Sequence, residues 1–254
     1  MRNSILFALL LSFFFMGCDE DKYDDDQYGD HCLVQDVSGT NGGSTTTMEY
    51  DQYDRIISMN STLQNQSMRM EISYNNDIAF ADYFVDNQLA NTSEATLDAQ
   101  GNLTDVLMFD AQGVEVGELH FIYNADHHIT NMSGYDVTTH MNNTTTVTWI
   151  NDNPVSFTSP NGNVVCEYYV GEKSSINYGV GNTILLFQPF IGNVAMLYSA
   201  DLIKVFDKNN VMSEANSFTY EKDSDDKVRE MYVRIASVSS TFTTIYNYQC
   251  HAPH

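Results

Sequence analysis

Between Thr45 and Tyr248 the chain alternates short apolar and β-branched runs with clusters of Asp, Asn and Gly, with no helical period between them. The clearest punctuation is a repeat: Asp98-Ala99-Gln100-Gly101 returns as Asp110-Ala111-Gln112-Gly113, twelve residues on. Asp at the start of a turn accepts hydrogen bonds from the amides ahead of it. Gly supplies the left-handed conformation that a type I turn with a bulge requires. The two copies bracket one strand, 102–109. Degenerate copies run through the chain at Tyr50-Asp51-Gln52-Tyr53-Asp54-Arg55-Ile56, Tyr74-Asn75-Asn76-Asp77-Ile78 and Tyr123-Asn124-Ala125-Asp126-His127-His128-Ile129. Phe206 to Val211 and a stretched copy from Tyr220 to Val228 keep the frame, and Asn151-Asp152-Asn153-Pro154 and Pro160-Asn161-Gly162-Asn163 add further turns. Strands of about 7–12 residues joined by tight turns predict an antiparallel meander.

Many strands, 144–150 and 241–248 among them, put Thr or Tyr on one face and mixed apolar residues on the other. Neither face is continuously apolar, which fits one curved sheet, open or half-closed like part of a barrel, better than a thick sandwich. The predicted fold class is therefore all-β. Asn182 to Phe206 differs, being the most apolar part of the chain after the first 17 residues, and is interrupted by Pro189, Gly192 and Asp201. It is read as short helical or looped pieces near 182–206 that cover the concave side or an edge of the sheet.

The amino terminus has a different pattern. Arg2 is followed by an apolar stretch from Ile5 to Met16, too short to span a bilayer and the right length for an export signal. Phe15-Met16-Gly17-Cys18 then resembles a bacterial lipobox, with Phe where Leu is commoner. The expectation is a signal peptide over 1–17 and lipid on Cys18, which anchors the protein in a membrane. Asp19-Glu20-Asp21-Lys22-Tyr23-Asp24-Asp25-Asp26 is a self-repelling tether, placed in a segment 18–44 ahead of a β-domain over 45–254. Asp24, Asp26 and Gly29 begin like a calcium loop, but Gln35 stands where a bidentate Glu is needed.

Charge narrows the function classes. With 34 acidic against 11 basic residues, the formal net charge is −23. Such a field repels phosphate backbones, so no nucleic-acid partner is expected. Of Cys32, Cys166 and Cys250, a bridge between the first and last requires the two ends of the domain to meet; small buried hydrophobes are the plainer reading. No CxxC or HExxH spacing occurs, so no metal or other cofactor is expected. His127-His128 is read as an exposed turn. Trp149 is read as a core or sheet-face aromatic, with a sugar-stacking platform as the alternative. No nucleophile elbow or phosphate loop is present, and no catalytic residues are assigned; the expectation is a protein that is not an enzyme.

The Tyr-Asp-x-x-Gly-type units over roughly 45–250 resemble YD-repeat sheets. Behind a lipobox, and with the apolar interruption before the last hairpins, they are similar to Bacteroidota lipoproteins of unknown function with a porin-like, open β-meander. That resemblance implies a fold and an outer-membrane, surface-exposed location, with a periplasm-facing orientation as the alternative. The acidic run after Cys18 resembles the surface-export signal of such lipoproteins. The leading expectation is a non-catalytic lipoprotein that binds a glycan or a protein on the concave face of its sheet, where tyrosines offer apolar faces and hydroxyl tips. A structural or assembly role in the envelope is the alternative, and a hydrolase ranks last.

Overall fold

Buried and exposed positions alternate along most strands, as in Thr45–Tyr50 and Glu115–Tyr123, so each strand turns one face inward and one outward. The structure is a computed structural model, and it describes residues 31–39, 45–63, 66–137, 140–160, 162–173, 201–206, 216–224, 228–235 and 240–251. All of its regular structure is β. The strands are β1 (His31–Gly39), β2 (Thr45–Tyr50), β3 (Ile56–Leu63), β4 (Gln66–Asn75), β5 (Ile78–Val85), β6 (Gln88–Leu97), β7 (Leu103–Asp110), β8 (Glu115–Tyr123) and β9 (Ile129–Asp136). They continue as β10 (Met141–Ile150), β11 (Asn153–Ser159), β12 (Gly162–Val165), β13 (Glu167–Lys173), β14 (Asp201–Phe206), β15 (Asn216–Lys222), β16 (Val228–Ile235) and β17 (Ser240–His251).

All seventeen belong to one antiparallel sheet. From β1 to β12 each strand pairs with the next. A second run joins β13 to β17 in order, and β17 pairs with β1. The series thus starts at β13 and ends at β12, which are consecutive in the chain. Cys166 stands between them and donates its N–H to Val155 O at 3.0 Å. The two end ladders lie end to end along 162–173, and among the described residues none there is laddered on both sides. The result is a rolled meander with an unsealed seam, not a closed barrel.

The inward face is the core. One continuous cluster draws on strands throughout the sheet, and Ile56, Leu103, Phe218 and Met231 in it have no exposed surface. Met48, Met59 and Met70 stand opposite one another on β2, β3 and β4, where flexible thioethers fill the curve of the roll. At each methionine, truncation to Ala would leave a hole costing about 2–5 kcal/mol wherever the side chain is fully buried.

Two stretches fold otherwise than their sequence suggests. Residues 31–39, assigned to the tether, form β1, because Leu33, Val34 and Val37 bury themselves between β17 and β2. Residues 201–206, read as helix or loop, form β14. A short apolar run does not reveal its period, and here Ile203 and Val205 take ladder partners on β13, with Val205 and Phe206 pairing β15. Residues 182–200 of the same segment lie outside the described residues, as do Cys18, the acidic run and Asp24 to Gly29.

Candidate functional site

Four turns share one geometry, opened by Asp51, Asp98, Asp110 and Asn124. In each, one side-chain oxygen accepts the amides two and four residues on, at 2.8–3.0 Å. The residue three places on has positive φ: Asp54 at 58°, Gly101 at 84°, Gly113 at 77° and His127 at 62°. These are the turns the repeat predicts, including the bulge. Burial opposes ionisation of Asp51, but the Arg55 guanidinium and the two amides outweigh it and hold the carboxyl below the usual range. Burial likewise opposes ionisation of Asp98, and Asn102 with the amides lowers it again. These carboxylates are structural caps.

The aromatic residues beside the turns form a second repeat. Tyr50 donates to Val34 O at 2.7 Å, Tyr74 to Ile56 O at 3.1 Å, and Tyr123 to Leu103 O at 2.8 Å. Trp149 Nε1 donates to Ile129 O at 2.7 Å. Tyr168, Tyr220 and Tyr248 do the same to Pro154, Ile203 and Val228 at 2.7–2.9 Å. Each acceptor lies toward the start of a neighbouring strand, the Tyr168 bond to Pro154 reaching across the seam from β13 to β11, so the donors act as rungs along the roll. Burial, joined by neighbouring groups, pushes the hydroxyls of Tyr168 and Tyr220 well above the ordinary tyrosine range. Planar polar groups cover two of the rings: the Arg55 guanidinium lies 4.1 Å over Tyr74, and His128 stacks on Trp149 at 4.2 Å and 7°.

That stack corrects the reading of His127-His128 as an exposed turn. The two rings do splay, but only His127 is exposed; His128 retains 8% of its surface. The left-handed residue faces solvent, and the next one re-enters the strand with its side chain over Trp149. Burial lowers the His128 pKa, against the pull of Asp152, whose Oδ1 is 3.4 Å from Nε2. Trp149 is a structural aromatic with one face already occupied. Nearby, buried Asn153 and Asp201 exchange hydrogen bonds of 2.9 and 2.8 Å and tie β11 to β14.

The concave face is therefore core, and its tyrosine hydroxyls along the rungs serve the backbone. The side chains available to a partner are on the convex face, and there the charge is one-sided. From Met70 to Glu172 the chain carries 15 acidic residues and no Lys or Arg. Glu71, Asp82, Glu94, Asp105 and Glu118 project from the convex side of β4 to β8, each with at least one buried residue next to it in its strand. Glu71 stands directly opposite Asp82, a like-charge pairing that disfavours the sheet. Arg69, paired with Glu71 and 4.1 Å over the Phe84 ring, adjoins this row. His120 places Nδ1 2.5 Å from Asp105 Oδ1 and Nε2 3.8 Å from Glu118 Oε2. Among the described residues no three His, Cys, Asp or Glu side chains are grouped to hold a metal ion. The acidic row was not singled out in the sequence because its members lie far apart along the chain. The cation-free stretch and the outward parity were the signals for it.

No family model and no curated protein sequence matches this chain. Two solved structures share its fold. A porin-like protein from Bacteroides uniformis superposes with a TM-score of 0.58 at 14% identity, over 86% of this chain and 98% of its own. A porin-like protein from Bacteroides vulgatus gives a TM-score of 0.50 at 12% identity, over 85% and 98%. The likeness establishes the fold: a porin-like antiparallel meander, as the resemblance implied.

Proposed function

We propose that this protein is a non-catalytic lipoprotein of a Bacteroidota cell surface, anchored in the outer membrane by lipid on Cys18, that docks a partner on the convex face of β4 to β8. One observation carries the docking face: every charged side chain from Met70 to Glu172 is acidic, and five of them project outward from consecutive strands. A partner bearing Lys and Arg, a protein or peptide in kind, complements such a face in charge and gains rate and orientation from it. A glycan is the weaker candidate, since the described tyrosine hydroxyls along the rungs are committed to carbonyls. Support for the location is the lipobox-like Phe15-Met16-Gly17-Cys18, the acidic run behind it and the Bacteroides origin of the two similar folds.

The test is protease treatment of intact Bacteroidota cells that express the full chain, beside a strain with Asp19→Ala, Glu20→Ala and Asp21→Ala. The expected result is digestion of the wild-type domain and protection of the variant. Protection of both contradicts surface display and leaves the domain facing the periplasm.

A further inference from the structure

The ladder between β1 and β17 brings the two ends of the folded chain together, and Cys32 and Cys250 are direct Cα partners in it. We propose that these two cysteines form an intramolecular disulfide that staples the first strand to the last. The inference rests on the export proposed above, because thiols are kept reduced in the cytosol and oxidise beyond it.

Directly opposed residues of an antiparallel pair have Cα atoms about 4.5 or 5.5 Å apart, and both values fall in the range of about 4.4–6.8 Å that a disulfide spans. The ladder is in step from His31↔His251 to Val34↔Tyr248, with its one irregularity beyond Val34.

The position also needs a staple. Among the described residues, β1 meets β17 through eight registered pairs, from His31 to Gly39, whereas its ladder with β2 covers Asp36, Val37 and Ser38. Residues 31–34 are laddered to β17 alone, at the point where the chain departs toward Cys18. Pulling on a membrane tether would peel that end first. The third cysteine, Cys166, is buried at the seam between β12 and β13, away from this ladder.

The oxidant is a protein disulfide of the cell envelope. One cysteine thiolate attacks it, forming a mixed disulfide and releasing one sulfur of the oxidant. The other thiolate then displaces the second sulfur. The two cysteines lose two protons and two electrons, and the oxidant departs as a dithiol.

The experiment counts thiols. Full-length protein is expressed in a Bacteroidota host, quenched in acid, denatured and alkylated with a maleimide-linked polyethylene glycol of resolvable mass. The processed wild-type chain is expected to gain one adduct, on Cys166, and three after reduction. Cys32→Ser and Cys250→Ser should each gain two without reduction, and Cys166→Ser none. Three adducts on unreduced processed wild type would overturn the staple, as would two adducts on Cys166→Ser, which would mean that Cys32 and Cys250 do not bridge each other. A reducible dimer would also overturn it. Failure of export appears separately, as an unprocessed precursor of higher mass.

Discussion

At the scale of single residues, the aromatic rungs make the sharpest predictions. Tyr74→Phe and Tyr123→Phe each keep the ring and remove a donor from the carbonyl of Ile56 or Leu103. Each should cost about 1 kcal/mol, a fall in Tm of about 2–4 °C by calorimetry. Tyr232→Phe is the control: that hydroxyl sits between Glu230 and Glu221, which push its pKa to about 12, and bonds no backbone carbonyl. Its loss should leave Tm nearly unchanged. A second prediction uses Trp149, the only tryptophan of the chain. Its stacking partner His128 has a pKa lowered in the folded state, so the unfolded chain takes up that proton first. The His128 contribution to stability is then fully present above the unfolded value of about 6.5 and is lost as pH falls from there through the folded pKa. Tryptophan fluorescence should change over that window, because the neighbouring imidazole gains charge, and the change should vanish in His128→Gln. An unaltered titration in the variant would remove His128 from the account. Little of this was legible in the sequence. Tyr50, Tyr74 and Tyr123 were visible as members of a repeat, but which atom each hydroxyl reaches depends on strand stagger, which no single unit carries.

At the scale of elements, the turns were the most legible feature, because their chemistry is local. Asp98 and Asp110 bond amides within four residues, and Gly101 and Gly113 take up positive φ with nothing near a Cβ. Gly101→Ala should therefore cost about 1–2 kcal/mol through backbone strain alone. The same turn at Asp51 puts a non-glycine in the left-handed position, so Asp54→Gly should relieve strain and raise stability by up to about 1 kcal/mol in urea unfolding. A fall in stability there would show that the Asp54 side chain does more than tolerate its φ. The strands were less legible where the pattern failed to alternate. β1 has Leu33 and Val34 both buried, and β14 has Asp201, Leu202 and Ile203 all buried. Runs buried on both faces lack the period that marks a strand, so these two elements emerge only when their neighbours in the sheet are in place.

At the scale of the whole molecule, the meander and its curvature followed from short strands, tight turns and faces that are never continuously apolar. What the sequence concealed was how far the curl goes. Pairing of β17 with β1 is a contact between opposite ends of the chain, and no local signal announces it. That rolling turns the concave face into core and leaves the acidic convex face as the surface on which a partner can act. Chemical crosslinking on intact Bacteroidota cells shows whether the convex face docks a partner. Wild type is compared with the convex-face variant Glu71→Lys/Asp82→Lys/Glu94→Lys, whose thermal melt is checked to confirm that it folds. Wild type should give one discrete adduct that is lost in the variant and weakened by added salt. An adduct that survives charge reversal unchanged, or none in either strain, would contradict the convex face as the docking surface.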